Sequence, residues 1–421
     1  MFQPPVKQQP LHGLRIAIRA FRKGDVVSAE KIAMGLMKKD ASTRVEAMAL
    51  RSEIYYRTRN VEGLEGLLRE DSLFRKDRRW KIMWARLMSL KGDKVAAEKV
   101  YNTLLSHDIP GPVYRIAAFE LAKIMDASGR YDEAWALGTQ AHRRTTKAYP
   151  LDAMSEALRV TAMVSDEERV KIFRASQTLD KTAFIHGLPR SGTSLLEQML
   201  DLHSHIKGVG ETSMTGRMGD RIAAEGGGWP VGVLRVKESL LNSLQEEYRQ
   251  QVRDFHAVPD HIWTVDKTVF PMIQPLVVAV TLPGARVIRI VRSAKDNAVS
   301  LFLNNMDPSW GFTASLDSIY SFIEAERTYV PEIYRKMGVD CLSVKYEQLV
   351  ASPLTEMQRI LSFLGLPFEE ACLSPQKNKR VVHTLSHDQV IKPINSEGID
   401  RWKKYASYFD DRWALLDDEP K

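Results

Sequence analysis

The stretch Thr182 to Thr212, TAFIHGLPRSGTSLLEQMLDLHSHIKGVGET, constrains this chain more than any other. It opens with a short apolar run, turns through Gly, Pro, Ser and Thr, and continues with apolar residues at helical spacing. That order is strand, loop, helix. Backbone N–H groups at such a loop and helix start point outward together and favour an anion. The spacing Gly187-x4-Gly192-Thr193-Ser194 nearly meets the nucleotide P-loop pattern Gly-x4-Gly-Lys-Ser/Thr. Thr193 stands where that pattern has its lysine. Without the ammonium, the loop is a poor cradle for a β/γ-phosphate pair. It can still hold a 5′-phosphate that carries one further anionic group. The basic side chain comes earlier, at Arg190.

The pattern around this stretch divides the chain. From Thr182 onward, strand-like runs alternate with helical ones, which predicts a parallel α/β sheet. Strands are expected at Thr182–His186, Ile262–Val265, Arg286–Val291 and Cys341–Lys345. Helices are expected to start near Ser194, Asp296, Ser315 and Pro353. The stretch Gly216 to Val233 contains Gly226-Gly227-Gly228 and Pro230, and reads as a flexible loop, either a plain connector or a lid beside the site.

Residues 11–165 read as all-helical, with apolar residues recurring at three and four positions. A loose repeat starts at Gly24 (GDVVSAE), Asn60 (NVEGLE), Gly92 (GDKVAAE) and Gly129 (GRYDEAW). Its period suits helical hairpins of the tetratricopeptide type, of about 34 residues each. A generic helical bundle is the plainer alternative. Residues 1–10 are expected to be disordered, 166–181 to form a linking helix, and 182–421 to form the α/β domain.

Charge separates the same two regions. Residues 1–180 hold 32 Lys+Arg against 23 Asp+Glu, and residues 181–421 hold 28 against 30. The densest basic run lies within Arg69–Lys94 and includes Arg75, Lys76, Arg78, Arg79 and Lys81. It reads either as a solvated helix face or as a steering surface for an acidic partner. No nucleic-acid motif accompanies it. Two cysteines, Cys341 and Cys372, make no disulfide framework or zinc spacing. The first residues carry no secretory apolar core, and Pro271–Val291 is too interrupted to span a membrane. A reducing cytoplasm is the expected setting.

Three more segments carry chemistry. Gly210-Glu211-Thr212 offers a carboxylate at a strand edge, a candidate general base. Arg292 ends the run RVIRIVR, and Ser300 follows two turns into the next helix. Such a pair can converge on one anion at the carboxyl edge of the sheet. The C-terminal part holds Val344-Lys-Tyr-Glu-Gln-Leu-Val350, Ile360-Leu-Ser-Phe-Leu-Gly-Leu-Pro367 and Ser386-His-Asp-Gln-Val-Ile-Lys-Pro393.

Together these segments resemble the sulfotransferases that use 3′-phosphoadenosine 5′-phosphosulfate (PAPS), over about Thr182 to Tyr405. The tyrosylprotein branch and its bacterial relatives with tetratricopeptide repeats are most similar. The resemblance implies a P-loop-like parallel sheet with helices on both faces, behind an all-α helical-repeat domain. It implies that Arg190, Ser191, Gly192, Thr193 and Ser194 hold the 5′-phosphosulfate. Arg292 and Ser300 would hold the 3′-phosphate, with Tyr346 and Arg401 as further donor contacts. It implies Glu211 as the base, with Arg190, Lys267 and Ser386 stabilising the transferred group. 3′-Phosphoadenosine 5′-phosphate (PAP) would be the product, and no metal would be required. Membrane-anchored, disulfide-bonded members of that branch differ from this chain. The acceptor hydroxyl therefore stays open: protein tyrosine in an acidic peptide gripped by the helical repeats, carbohydrate, or a small molecule. Small-molecule sulfotransferases commonly use a histidine base, but His203 and His205 read as loop residues. A P-loop kinase and a non-catalytic helical-repeat protein with a decayed enzyme domain are the rival readings. Thr193 argues against the first, and the retained Arg190, Glu211 and Lys267 against the second.

Overall fold

The computed structural model describes residues 9–22, 25–39, 41–70, 72–146, 149–255, 257–259, 261–267, 274–378, 380 and 392–416. The chain forms two compact units: one comprises residues 1–147 with 303–309 and 379–387, and the other holds the remainder. Ser386 lies outside the described residues, as do residues 1–8.

The first unit contains α1 (Gln9–Arg22), α2 (Val26–Leu36), α3 (Ala41–Arg57), α4 (Val61–Glu70), α5 (Arg78–Leu90), α6 (Lys94–Leu105), α7 (Gly111–Ala127) and α8 (Tyr131–Thr145). The repeated sequence motif marks the start of every second helix. Asp25 and Asp93 cap α2 and α6 by accepting from the N–H groups of Ser28 and Ala96 at 3.0 and 2.9 Å. Asn60 does the same for Gly63 at 2.8 Å. The left-handed turn residue there is Arg59 (φ 54°), not Asn60, whereas Gly92 and Gly129 turn at φ 85° and 78°. Ala29, Ala97 and Ala134 are fully buried, where a larger side chain would separate the paired helices.

The basic run on α5 is partly neutralised. Arg79 bonds both Asp77 and Glu46, and Arg86 bonds Glu53 and Glu120. Arg75, Lys76, Arg78 and Lys81 remain exposed.

The second unit begins with α9 (Ala153–Val164) and α10 (Glu168–Ile172). The division between units thus falls before residue 148, ahead of the boundary expected at 165. Met154, Leu158, Thr161 and Ala162 supply the reason: they form a buried helical stripe on α9, a helix of the second unit. The linking helix expected over 166–181 is only the five residues of α10.

Beyond it come β1 (Thr182–His186), α11 (Thr193–Leu200), β2 (Ile206–Gly210), α12 (Met214–Gly226), α13 (Glu238–Gln250) and β3 (Trp263–Asp266). The order continues with α14 (Gln274–Thr281), β4 (Arg286–Val291), α15 (Ala294–Phe302), α16 (Leu316–Lys336), β5 (Cys341–Lys345), α17 (Tyr346–Ala351) and α18 (Pro353–Leu364). The strands form one parallel sheet in the order β2-β3-β1-β4-β5.

Alternation along the strands gives the sheet two covered faces. Ala183, Ile185, Val265, Ile288, Ile290 and Val344 pack with Leu196 and Met199 of α11 and Ile360 and Leu361 of α18. On the other face Phe184 meets Tyr248 of α13, and His186 meets Tyr334 of α16. The α/β expectation, with helices on both faces behind an all-helical region, is met.

The stretch 216–233 differs from its expectation as a loop. Most of it is α12, whose Met214, Met218 and Ile222 recur every four residues and are buried. The glycines terminate this helix: Gly227 is its left-handed C-cap at φ 81°. Gly226 and Gly232 meet closely, since a Cβ on Gly226 would lie 2.3 Å from the Gly232 carbonyl oxygen.

Candidate active site at the carboxyl edge of the sheet

Parallel strands deliver their carboxyl ends to one edge. Arg190–Ser194 follow β1 there, Glu211 follows β2, Lys267 follows β3, Arg292 follows β4 and Tyr346 follows β5. The connections from β1 and β4 leave in opposite directions, so the border between these two strands is the topological switch point.

The loop after β1 is tightly specified. Arg190 and Gly192 both adopt left-handed backbone, at φ 70° and 109°. For a non-glycine residue this costs on the order of 1 kcal/mol and persists only where neighbours enforce it. Here Arg292 Nη1 donates to the Arg190 carbonyl at 2.9 Å, and Asn297 Nδ2 donates to the Pro189 carbonyl at 2.9 Å. Arg190 Nε donates to Ser300 Oγ at 3.0 Å. Two glycines are dictated by crowding. A Cβ on Gly187 would lie 2.7 Å from both the Ile290 carbonyl oxygen and Ser191 Oγ, and one on Gly192 would lie 2.5 Å from the Tyr346 ring. Gly192 N-caps α11 without any side-chain cap, so the first-turn N–H groups lack an acceptor within the helix. Ser191 Oγ is buried and has no hydrogen-bond partner among the described residues.

On the β2/β3 side, Lys267 and Glu211 form an ion pair, Nζ to Oε1, at 2.6 Å. The lysine side chain is 2% exposed and the glutamate 49%. The backbone below them is pinned: the Lys267 N–H donates to Gly210 O at 2.9 Å. The Gly210 N–H in turn donates to Glu197 of α11 at 2.8 Å. Thr212 Oγ1 donates to Asp266 at 2.6 Å. A buried ammonium next to a carboxylate that still reaches solvent is an arrangement suited to proton removal beside a fixed positive charge.

On the β4/β5 side, Arg292 is buried beside the Tyr346 ring, with its guanidinium carbon 4.9 Å from the ring centroid. Its second Nη bonds the carbonyl of Gly398. Burial pushes its pKa down from the usual arginine value, and nearby Arg401 adds to this, against Tyr346, Asp296 and Glu347. Arg292 Nε has no partner among the described residues. The strand end is fixed by Arg327 of α16, which donates to the Arg292 carbonyl at 2.7 Å. Glu347 accepts from the Ser293 N–H at 2.9 Å.

Sequence reasoning missed Asn297, Arg327, Glu347 and Asp296. The signal for two of them was at hand, since Asp296 and Asn297 lie inside the RSAKDNAVS segment that gave Arg292 and Ser300. A buried ion pair beneath the edge was also missed: Arg289 bonds Glu326 through two nitrogens at 2.8 and 2.9 Å.

His203 and His205 sit elsewhere. α11 runs away from the carboxyl edge and β2 returns to it, so the turn joining them lies at the opposite edge. With Glu369 the two histidines bring three potential metal-ligand atoms within 4.8 Å of one another. Both nitrogens of His203 are already engaged: Nδ1 accepts from the His205 N–H at 3.0 Å, and Nε2 faces the Pro367 carbonyl at 2.9 Å. This cluster staples the turn.

A glycine-bounded loop, a carboxylate–lysine pair and a buried arginine thus stand together at one edge of one parallel sheet. Residues 183–370 match the model of the sulfotransferase family. Protein-tyrosine sulfotransferase 1 of Danio rerio is 29% identical over 236 residues, covering 52% of this chain and 64% of its own length. An uncharacterized protein of Aquifex aeolicus is 26% identical over 324 residues, covering 74% of this chain and 42% of its own. That second likeness extends outside the family-matched segment. The chain therefore aligns with only about half the length of these relatives. Among solved structures, a sulfotransferase domain from the curacin biosynthetic pathway aligns over 57% of this chain and 97% of its own, at 19% identity and a TM-score of 0.40. Among the described residues, no helix is long and apolar enough to cross a membrane.

Proposed function

We propose that this chain transfers a sulfuryl group from PAPS to a hydroxyl acceptor. The observation that carries the reading is the division of labour along the sheet edge. The Glu211–Lys267 pair stands on the β2/β3 side, Arg292 and Ser300 stand on the β4 side, and the lysine-less loop lies between them. A donor with a 5′-phosphosulfate and a 3′-phosphate matches that division. The residues fit such a group. Ser191 Oγ and Arg292 Nε are buried polar atoms without partners among the described residues, and α11 opens uncapped.

In this assignment the N–H groups of Ser191 to Ser194 hold the 5′-phosphosulfate, and Arg292, Ser300, Tyr346 and Arg401 hold the 3′-phosphate side. PAPS supplies an activated sulfur with a phosphate leaving group. Glu211 accepts the proton of the acceptor hydroxyl as the new O–S bond forms. The bond from sulfur to the bridging oxygen breaks, and its electron pair leaves on that oxygen as PAP. Lys267 stabilises the negative charge that develops on the oxygens, and Ser386 is assigned to the same task from sequence alone. Preorganised donors of this kind contribute about 3–4 kcal/mol each to a barrier. Arg190, which reaches Ser300 in the structure, remains assigned to the donor.

The first unit is assigned as tetratricopeptide-type repeats that present the acceptor. Its recurring Asp or Asn caps and buried alanines support this, and exposed Arg75, Lys76, Arg78 and Lys81 suit an acidic peptide. Protein tyrosine is the acceptor favoured by the similarity to protein-tyrosine sulfotransferases.

Radiolabelled PAPS supplied with tyrosine-containing acidic peptides, glycans and small phenols tests the activity. Transfer of label to a hydroxyl, lost in Glu211→Gln, is expected. Label transfer that survives in Glu211→Gln would overturn the base assignment. If charge reversal across Arg75–Lys81 leaves the peptide KM unchanged, acceptor recruitment by that surface is wrong.

A further inference from the structure

Asp296 lies in the first turn of α15, is 1% exposed, and sits one helical turn from Ser300. A buried carboxylate needs hydrogen-bond donors to offset its lost hydration. Asp296 finds them more than a hundred residues away. Its Oδ2 accepts from the Asp400 N–H and its Oδ1 from the Trp402 N–H, both at 2.8 Å. The two donors flank Arg401. The carboxylate therefore grips the main chain on both sides of one arginine and fixes where that side chain begins.

Surrounding contacts hold the same segment from other directions. Asp400 turns through left-handed backbone at φ 60°. The Gly398 carbonyl accepts from Arg292, and a Cβ on Gly398 would lie 2.9 Å from the Tyr346 hydroxyl and 3.1 Å from Arg292 Nη2. Lys295 Nζ lies 4.4 Å from the centre of the Trp402 ring. The outcome is that Arg401 is held three residues beyond the carbonyl that Arg292 grips, and its positive charge adds to burial in lowering the Arg292 pKa. Like charges are gathered in this way where a shared anion offsets the repulsion.

We infer that Asp296 is a positioning residue: by clamping the N–H groups on either side of Arg401 it holds that arginine on the 3′-phosphate shared with Arg292. This rests on the donor reading proposed above. Asp296 itself faces backbone and does not touch the donor. A carboxylate is required because both clamped groups are donors. The amide of Asn offers one acceptor atom and turns an N–H2 against the other donor.

The test compares binding of PAP with binding of adenosine 5′-phosphate by calorimetry, using the full chain. Wild type is expected to prefer PAP strongly. Asp296→Asn should weaken PAP at least tenfold and leave adenosine 5′-phosphate within about twofold. In the Arg401→Ala background, Asp296→Asn should cost PAP little more, because the residue it positions is gone. Asp296→Glu, which restores both acceptor atoms, is the conservative variant and should recover part of the preference. Equal weakening of both ligands, or full additivity with Arg401→Ala, would overturn the role of Asp296 and leave the donor reading intact. A wild type without preference for PAP would instead overturn the donor reading. Thermal unfolding of each variant distinguishes loss of the clamp from loss of the fold.

Discussion

Replacing Glu211 by Gln separates the chemical role of this carboxylate from its structural one. Structurally, Glu211 is the partner of an ammonium whose side chain is 2% exposed. Breaking a fully buried pair costs about 3–5 kcal/mol, and an exposed pair contributes about 0–1 kcal/mol. Glu211 is 49% exposed, so water screens one side of the pair. The variant should therefore lose about 1–2 kcal/mol of stability, an intermediate value between those limits. Chemically, losing the base should lower turnover by about 10²- to 10⁴-fold. That corresponds to about 3–5 kcal/mol in the barrier. The two effects part company in a second background. Lys267→Met removes the buried charge that Gln would strand, so the double variant should recover stability without recovering activity. Urea denaturation reads the first effect, and labelled transfer at saturating PAPS reads the second. PAP affinity should stay within a few-fold throughout for Glu211→Gln. Turnover within about threefold of wild type, or stability losses that simply add in the double variant, would refute the reasoning.

Gly192→Ala should abolish PAP binding: its Cβ would sit 2.5 Å from the Tyr346 ring at φ 109°, and an otherwise folded protein that still binds PAP would contradict the loop assignment. Arg292→Ala should weaken PAP by roughly 10- to 100-fold, as loss of a charge-assisted contact of about 1.5–3 kcal/mol implies, and weaken adenosine 5′-phosphate less, only through the lost hydrogen bond to the Arg190 carbonyl. Burial alone would raise the Glu326 carboxyl, but Arg289 and then His186 hold it well below the usual carboxylate range. A depressed folded-state value means that Glu326 stabilises the fold above its unfolded pKa of about 4.3, and that this contribution is lost as pH falls below that value. Arg289→Met should cost about 3–5 kcal/mol near neutrality and narrow its deficit below about pH 4, which acid-denaturation curves would show.

The sheet was legible where strands are buried on both faces. β1 and β4 occupy the expected residues because parallel central strands read as apolar runs closed by turn signals, and the edge strand β5 also falls on its expected residues although only Val344 in it is buried. β2 was legible only as a strand edge at Gly210. Its sequence IKGVG carries two glycines and the exposed Lys207, and it lies at the end of the sheet. α12 was hidden because Gly226-Gly227-Gly228 suggests a loop. Those residues end a helix whose buried face is set by Met214, Met218 and Ile222.

For the site, local sequence placed Arg190, Glu211 and Arg292 at strand ends, which are local features, and the family resemblance added Lys267. It could not show which of them touch. The Lys267–Glu211 pair spans 56 residues, and the Asp296 clamp on Asp400 and Trp402 spans more than a hundred. These contacts are tertiary, and their residues look locally like ordinary surface charges. Arg289 is the clearest instance. Its three-residue spacing from Arg286 and Arg292 turns it to the opposite face of the strand, where Glu326 is waiting.

The most direct test of the account is a thermal-shift titration of the wild-type chain with PAP and, separately, with ADP and magnesium. A ligand at one hundred times its Kd stabilises the fold by about 2.7 kcal/mol, which is readily measured as a higher Tm. The account predicts a saturable rise with PAP at concentrations where ADP with magnesium gives little. A rise with ADP and magnesium but none with PAP would contradict it, because the loop would then be holding an ordinary nucleotide diphosphate without its lysine.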